Sequence, residues 1–331
     1  MSSKSPPLNI AQAINAYLEN VALTRSSNTS RAYGNAMKFF SQILELHHQP
    51  PADTPVENLT EDAIIWLAQA LKDYTSATEQ LYLAAARGFY EFLAASRLAR
   101  PNLPRLALLI RQRSRRPGQR LPQFPREQIE LIINYAINNA INPAFSKSEQ
   151  LRQLRDRAFL LVLADTGLRV HEACRLRRGD LDWNEGKAVV IGKGDQQAVV
   201  RFSQRALQAL QAYLQARQAL DGASGRPLPS LPLFARHDRG AGNKVKPITT
   251  ATGRNIVAQW VREALGSQAV GTITPHSFRH YFVTTVLRAS GNLKLAQELA
   301  RHKAISVTQR YAHLSDDELD RGYHEIFEGE Q

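Results

Sequence analysis

Apolar residues recur at helical spacing through most of the first hundred positions of this chain. They fall three or four positions apart in four successive stretches, which is typical of amphipathic helices. The stretches cover residues 10–21, 33–44, 64–71 and 81–93. Proline-containing segments at 50–55 and 101–104 separate or end them. The pattern predicts a compact helical domain over residues 1–104.

A second pattern begins at residue 127 and mixes helical with strand-like stretches. Apolar runs at 187–191 and 198–202 flank Gly192–Asp195, which has the composition of a hairpin turn. Residues 181–186 are a candidate third strand, and the segment 221–247, with its prolines and glycines, is expected to be an exposed loop. Helical spacing occurs at 129–137, 151–165, 170–177, 203–220 and 249–265. We therefore expect a mainly α fold with a small antiparallel β-sheet, in which a helical domain precedes an α+β domain over 127–331.

The segment from Thr274 to Tyr311 carries an unusual density of polar groups on short helices. Thr274 is a good helix N-cap, and Pro275 fits the first helical position, where its missing N–H costs nothing. His276 and Arg279 then leave one face of the first turn, which also presents the positive end of the helix dipole. After the break at 291–292, a second helix is expected to end just before His302, and a short third helix to lead to Tyr311. Such a segment can seat a phosphate.

Composition narrows the class of partner. The formal net charge of +12 favours a polyanion, and the chain has no apolar run near the roughly 20 residues that span a bilayer. Nucleic acid is thus expected rather than membrane. The single cysteine, Cys174, excludes an internal disulfide and fits a reducing compartment, so the cytoplasm is the expected location.

Between the two domains, residues 105–126 contain arginines and no acidic residue. A charge run of this kind is commonly a solvated linker. Because it joins two domains of a basic protein, we expect it to follow a phosphate backbone as well. The candidate DNA-binding arginines are Arg111, Arg113, Arg115, Arg116 and Arg120.

Several of these side chains suit phosphoryl transfer. Two arginines, Arg169 after the predicted helix stop at Gly167 and Arg279, can clamp phosphate oxygens. Lys193 in the hairpin turn can protonate a leaving alkoxide, and Tyr311 is a candidate nucleophile. Taken singly, each residue also suits a structural position. His276 and His280 have the spacing of a metal pair, but the pair alone is a weak metal signal, so no metal site is predicted.

Taken together, the segments TGLRVHEACRL, IGKGD, TPHSFRH and ELARHKAISVTQRYAH resemble the tyrosine recombinase (phage integrase) family. That family's pattern is Arg, Lys, His-x-x-Arg, His or Trp, and then Tyr. The N-terminal helices look like its SAM-like core-binding domain, and Glu172 matches the acidic residue that supports its catalytic side chains. The catalytic residues implied by the match are Arg169, Lys193, His276, Arg279, His302 and Tyr311.

The resemblance implies a site-specific recombinase that cuts and rejoins DNA through a 3′-phosphotyrosyl intermediate and a Holliday junction. Neither ATP, a metal nor another cofactor is then required. Double-stranded DNA is the implied partner, and a homo-tetramer the implied assembly, with residues 314–331 docking on a neighbour or on their own core. An accessory protein is neither indicated nor excluded.

Two other functions are compatible with the residues. A type IB topoisomerase shares the cleavage chemistry, and a non-catalytic DNA-binding regulator could retain a relict site.

One departure from the family pattern is visible at position 301. Arg301 precedes His302 where the family usually has glycine, which alters the turn because arginine adopts a positive φ less readily. Arg301 could contribute a DNA phosphate contact there.

Overall fold

In a computed structural model, the protein is described at residues 8–114, 125–139, 146–191, 197–238, 240, 244–302 and 304–309. Its contacts divide the chain into two units, Met1–Arg120 and Leu121–Gln331. Each unit has its own hydrophobic core. Within the described ranges, no helix is long and apolar enough to cross a membrane.

The first unit is helical, as its apolar periodicity predicts. Phe40, Phe89 and Tyr90 are fully buried where its helices meet. The Tyr90 hydroxyl donates to the carbonyl of Thr60 at 2.6 Å, which gives the buried phenol its polar partner. Its helices are α1 (Ile10–Thr24), α2 (Ser27–Leu46), α3 (Ala63–Ala70), α4 (Ser76–Ala95) and α5 (Leu103–Arg113).

Helix α5 occupies the beginning of the segment that the sequence assigns to the linker. Asn102 caps it by accepting from the Arg105 N–H at 3.0 Å, and Leu106 and Leu109 are buried against the first core. These leucines lie three residues apart and give the helix an apolar face, which the dense arginines obscure in the sequence. Residues 105–113 are therefore helix within the first unit. Arg111 and Arg113 are exposed on its last turn, while Arg115, Arg116 and Arg120 lie outside the described residues.

The second unit combines helices with a three-stranded antiparallel sheet in the order β1–β2–β3, as predicted. Val189 pairs with Val199 in register and both face outward, while Ala188 and Val200 face the core. The candidate third strand is two residues long. The strands are β1 (Leu181–Asp182), β2 (Lys187–Ile191) and β3 (Gln197–Arg201).

Helix α7 (Lys147–Thr166) runs through the core of the second unit. Its segment Phe159–Ala164 is buried on every side, because six successive apolar residues leave no polar face. The helices of this unit are α6 (Arg126–Asn138), α7 (Lys147–Thr166), α8 (Val170–Arg175), α9 (Gln204–Ala216), α10 (Gln218–Gly222), α11 (Thr250–Leu265), α12 (Pro275–Ser290), α13 (Leu293–Ala300) and α14 (Ile305–Gln309).

The segment 221–247 is not the exposed loop that its prolines and glycines suggest. Leu231, Leu233 and Phe234 are fully buried, and Phe234 packs edge-to-face on Phe159 with ring centroids 5.0 Å apart. The apolar run within the segment outweighs its turn-forming residues, since burying three large side chains is strongly favourable.

A buried ion pair fastens this segment to α9 and α10. Arg217 is fully buried, and its Nε lies 2.9 Å from Oδ1 of Asp221. The same guanidinium donates to the carbonyls of Pro232 and Leu233 at 2.9 and 3.1 Å. The pair thus connects the segment's backbone to the helices beneath it.

Replacing Arg217 tests this connection. We expect Arg217→Ala to lower the free energy of unfolding of the second unit by about 2–3 kcal/mol, because the buried Asp221 then keeps Arg178 but loses Arg217, and the two carbonyl oxygens lose their donor. The measurement is chemical denaturation followed by the fluorescence of Trp183 and Trp260 in a Trp66→Phe background.

Arg126→Ala is the matched control for that prediction. Arg126 and Glu130 form an ion pair at the same four-residue spacing, but their side chains are 34 and 39% exposed. The control should change the free energy of unfolding by about 0.5 kcal/mol or less. Equal effects of the two variants would contradict a structural role for the buried pair.

Candidate active site

The turn between α7 and α8 anchors the candidate site. Gly167 ends α7 in the left-handed conformation, with φ 60° and ψ 22°, as its predicted role of helix stop requires. A methyl group at this position would collide with the ring of Phe282 on α12. Glycine is thus required both by the backbone conformation and by the close packing of α12.

Arg169 and Glu172 follow directly on this turn. The Arg169 N–H donates to one Glu172 carboxylate oxygen at 2.9 Å, and its Nη1 donates to the other at 2.9 Å. The Arg169 side chain is 46% exposed, whereas that of Glu172 is 3% exposed. A buried carboxylate therefore orients a guanidinium that solvent or a ligand can reach.

Arg279 approaches the same turn from α12. Thr274 occupies the predicted N-cap of this helix, and its N–H donates to Ser277 Oγ at 3.1 Å. Arg279 is 2% exposed and donates to the Gly167 carbonyl at 2.6 Å and to the Ala300 carbonyl. Its charge is thus fixed between the end of α7 and the end of α13.

Arg301 reaches the Gly167 carbonyl as well. It caps α13 in the left-handed conformation, with φ 58° and ψ 47°, which costs an arginine roughly 1 kcal/mol. Its Nη2 donates to Glu172 Oε2 at 3.1 Å and lies 3.4 Å from the Gly167 oxygen. The side chain is 12% exposed and is directed at Glu172.

The histidines of the candidate site are held in their neutral form. Burial, then Arg279 and Arg169, lower the pKa of His276, and the same three causes lower the pKa of His302 to about 4. Burial and His276 lower the pKa of His280, which packs edge-to-face on His276 at 4.4 Å, to about 4. Neutral imidazoles at pH 7 can accept a proton or donate an N–H hydrogen bond.

His302 has a partner that the sequence did not suggest. Its Nδ1 lies 2.9 Å from Oγ1 of Thr308, which is fully buried on α14. The sequence also identified Gly167 only as a helix stop, not as the carbonyl on which two arginines converge. No sequence signal distinguishes either contact, because each joins groups that only the fold brings together.

The structure brings together six of the residues predicted from the sequence, which are Arg169, Glu172, His276, Arg279, Arg301 and His302.

A groove of about 780 Å³ lies beside them. Helix α13 and strand β3 border it, and its lining includes Arg201, Glu298 and His302. The described part of the chain contains no cluster of three or more metal-ligating side chains. Lys193 and Tyr311 lie outside the described residues.

Two family models match this chain. The phage integrase family model matches residues 124–318, and the model of the phage integrase N-terminal SAM-like domain matches residues 14–97. Tyrosine recombinase XerC of Bacillus pumilus (strain SAFR-032) is 30% identical over 318 residues, covering 95% of this chain and 96% of that relative. Tyrosine recombinase XerC of Bacillus subtilis (strain 168) is 31% identical over 265 residues, covering 80% of this chain and 79% of the relative.

Solved structures share the fold. The XerH site-specific recombinase bound to a palindromic difH substrate, in a post-cleavage complex, aligns with a TM-score of 0.65 at 17% identity, over 95% of this chain and 83% of that one. The Tn1549 transposon integrase in complex with a circular intermediate DNA aligns with a TM-score of 0.66 at 18% identity, over 96% of this chain and 99% of that one.

Substitution of Gly167 tests the anchoring turn. We expect Gly167→Ala to lower the free energy of unfolding by about 1 kcal/mol for the left-handed backbone and by a further 1–3 kcal/mol for the collision with Phe282. Gly291→Ala is the matched control, since Gly291 has φ 61° but open space around it. Gly291→Ala should lose only the roughly 1 kcal/mol that belongs to the left-handed backbone. Equal losses in chemical denaturation would show that the contact with α12 does not constrain the turn.

Proposed function

Because this chain belongs to the phage integrase family and is a tyrosine-type site-specific recombinase, we propose that it cuts and rejoins double-stranded DNA through a 3′-phosphotyrosyl intermediate. The observation that carries this proposal is that Arg169 and Arg279 are held at the turn at Gly167, close enough to His276 and His302 to lower the pKa of both imidazoles. Two fixed guanidiniums and neutral imidazoles suit a phosphodiester, whose negative charge grows on the non-bridging oxygens during attack.

The two arginines have different exposures, which suggests different contributions. Arg169 is about half exposed and is oriented by Glu172, so its guanidinium can contact a phosphate directly. Arg279 is 2% exposed, so its charge acts from within the protein, where it lowers the pKa of His276 and His302. Because both are held by hydrogen bonds before DNA binds, little reorganisation accompanies the reaction.

In the proposed cleavage step, the Tyr311 hydroxyl oxygen attacks the scissile phosphorus. A bond from phosphorus to Tyr311 forms while the bond to the 5′-oxygen breaks, and Lys193 donates a proton to that oxygen. His276 is the candidate acceptor of the phenol proton, since its lowered pKa leaves it unprotonated at neutral pH. With Thr308 donating to Nδ1 of His302, Nε2–H of His302 would donate to a phosphate oxygen.

Rejoining reverses these steps with a different strand. The 5′-hydroxyl of a partner duplex attacks the phosphotyrosine, restores a phosphodiester and releases Tyr311. The covalent link retains the energy of the broken bond, so neither ATP nor a metal is required. Exchange through a Holliday junction, in a cytoplasmic homo-tetramer with residues 314–331 docked on a neighbour, completes the proposal.

The two alternative functions predict different products. A type IB topoisomerase would rejoin ends within one duplex, and a regulator would bind DNA without a covalent adduct. Neither is favoured by the two Bacillus relatives, both of which are named tyrosine recombinase XerC. Strand exchange between two differently labelled duplexes separates a recombinase from a topoisomerase.

The covalent intermediate is directly testable. Nicked duplexes tiled across DNA that flanks the gene are incubated with the protein in EDTA without ATP, then denatured and resolved by gel. We expect the wild type to form a protein–DNA adduct, because the fragment released at the nick diffuses away before it can rejoin. Tyr311→Phe should form none.

Tyr74→Phe is the control for that experiment, since Tyr74 is a 43% exposed tyrosine of the first unit. It should form the adduct as the wild type does. An adduct that survives Tyr311→Phe would identify a different nucleophile. Specific binding of the wild type without an adduct would instead favour the regulator.

The arginines of the segment 105–126 are proposed to contact DNA phosphates. A variant with Arg111, Arg113, Arg115 and Arg116 replaced by alanine should flatten the slope of log K against log salt by about 2–4 units, at roughly 0.9 per lost contact. The measurement is the binding constant of a fluorescently labelled duplex, obtained by anisotropy at salt concentrations between roughly 50 and 300 mM.

The control removes arginines that already pair with carboxylates. Arg87 and Arg236 lie 2.8 Å from Glu91 and Asp238 respectively. Their double alanine variant should leave the slope nearly unchanged. If the variant that lacks Arg111, Arg113, Arg115 and Arg116 also kept the wild-type slope, these arginines would make no phosphate contacts.

A further inference from the structure

The conformation of Arg301 is unfavourable by itself. Its backbone adopts a left-handed conformation that glycine would adopt without strain. Its Nε and Nη1 are buried and have no hydrogen-bond partner in the part of the chain that the structure describes, and unsatisfied buried donors are destabilising. A glycine at position 301 would remove both costs. The arginine side chain therefore requires a reason other than the stability of the turn.

The contacts of Nη2 indicate that reason. This nitrogen lies 3.1 Å from Oε2 of Glu172, the oxygen that also accepts the Arg169 N–H. The other Glu172 oxygen accepts from Arg169 Nη1. Arg301, Glu172 and Arg169 thus form a continuous chain of charge-assisted hydrogen bonds that runs from the end of α13 to the exposed guanidinium.

We propose that Arg301 is a positioning residue, which fixes the Glu172 carboxylate so that Glu172 in turn fixes the Arg169 guanidinium toward the scissile phosphate. This inference rests on the proposed function, because it assigns Arg169 to the phosphate. It differs from the expectation that Arg301 itself contacts DNA, since the Arg301 side chain is 12% exposed and directed inward.

The charges around Glu172 support the proposal. Burial alone raises the pKa of Glu172, but Arg301 and the Arg169 hydrogen bonds outweigh it, so the pKa lies below its ordinary value. The neighbouring His171 has a lowered pKa and adds no positive charge at neutral pH. Without Arg301, burial would raise the Glu172 pKa, and a protonated carboxyl group would hold Arg169 less firmly.

Three variants test the chain of contacts. Arg301→Gly removes the side chain and also relieves the backbone strain, so failure to fold is not expected. Arg301→Lys keeps the charge and the strain. Glu172→Gln removes the titrating group, and the double variant with Arg301→Gly completes a double-mutant cycle.

The kinetic readout is single-turnover adduct formation on a nicked duplex between pH 5 and 8. We expect Arg301→Gly to slow it by about 10- to 100-fold. The loss should grow as the pH falls, since Glu172 protonates at a higher pH in this variant. Arg301→Lys should restore the pH profile in part. Arg301→Gly should add little loss to Glu172→Gln, because both act on Arg169.

A direct DNA contact predicts the opposite pattern. Arg301→Gly would then weaken binding, flatten the salt slope by about 0.9 and leave the pH profile unchanged. That result, or additive losses in the cycle, would overturn the proposal.

A second readout does not depend on recombinase activity. Because Arg301 keeps the folded-state pKa of Glu172 low, the stability it contributes is present at neutral pH and is lost as the pH falls through that pKa. The melting temperature of the wild type relative to Arg301→Gly should therefore decrease from pH 7 to 4, but not in the Glu172→Gln background. A pH-independent difference would refute the Arg301–Glu172 link. A missing wild-type adduct with the expected melting behaviour would refute only the proposed function.

Discussion

The candidate site depends on one acceptor, the backbone carbonyl of Gly167. Arg279 from α12 and Arg301 from the end of α13 both approach it, although they are distant from it in sequence. The left-handed turn that presents this carbonyl also starts α8, and with it Arg169 and Glu172. Because the left-handed turn beneath Phe282 requires glycine, this residue determines where Arg169 and Glu172 begin, and its carbonyl is an acceptor that Arg279 and Arg301 share.

The cluster contains more positively than negatively charged side chains, namely three arginines and the one carboxylate of Glu172. The guanidiniums of Arg169 and Arg301 donate to the one buried Glu172 carboxylate, and that of Arg279 donates to the carbonyl oxygens of Gly167 and Ala300. The nearby imidazoles respond by staying neutral, since burial and the arginines lower their pKa values. This arrangement attracts an anion and repels a metal ion, in agreement with the chemistry of a phosphodiester.

Local sequence signals were sufficient for much of this structure. Apolar periodicity identified the helices, Gly167 and Thr274 marked helix ends, and the two apolar runs gave the β-hairpin. The errors had a common physical cause. Arginines masked the apolar face of α5, and prolines and glycines masked the buried run Leu231–Phe234, because tertiary burial overrides local composition. The hydrogen bonds from Arg279 to Gly167 and between His302 and Thr308 could not be predicted from the sequence, because no local pattern around Arg279 or His302 indicates its partner.

The buried Arg217 also has a consequence for how freely this protein can diversify. Its guanidinium recognises the backbone carbonyls of Pro232 and Leu233, which every amino acid presents. Residues 223–226 precede this anchor and do not supply it, whereas Pro229 packs closely on Gly179. Insertions and substitutions accumulate most readily where an attachment is indifferent to side chains. That stretch is therefore a place where descendants of this sequence can change length and composition while the core beneath α9 keeps its form.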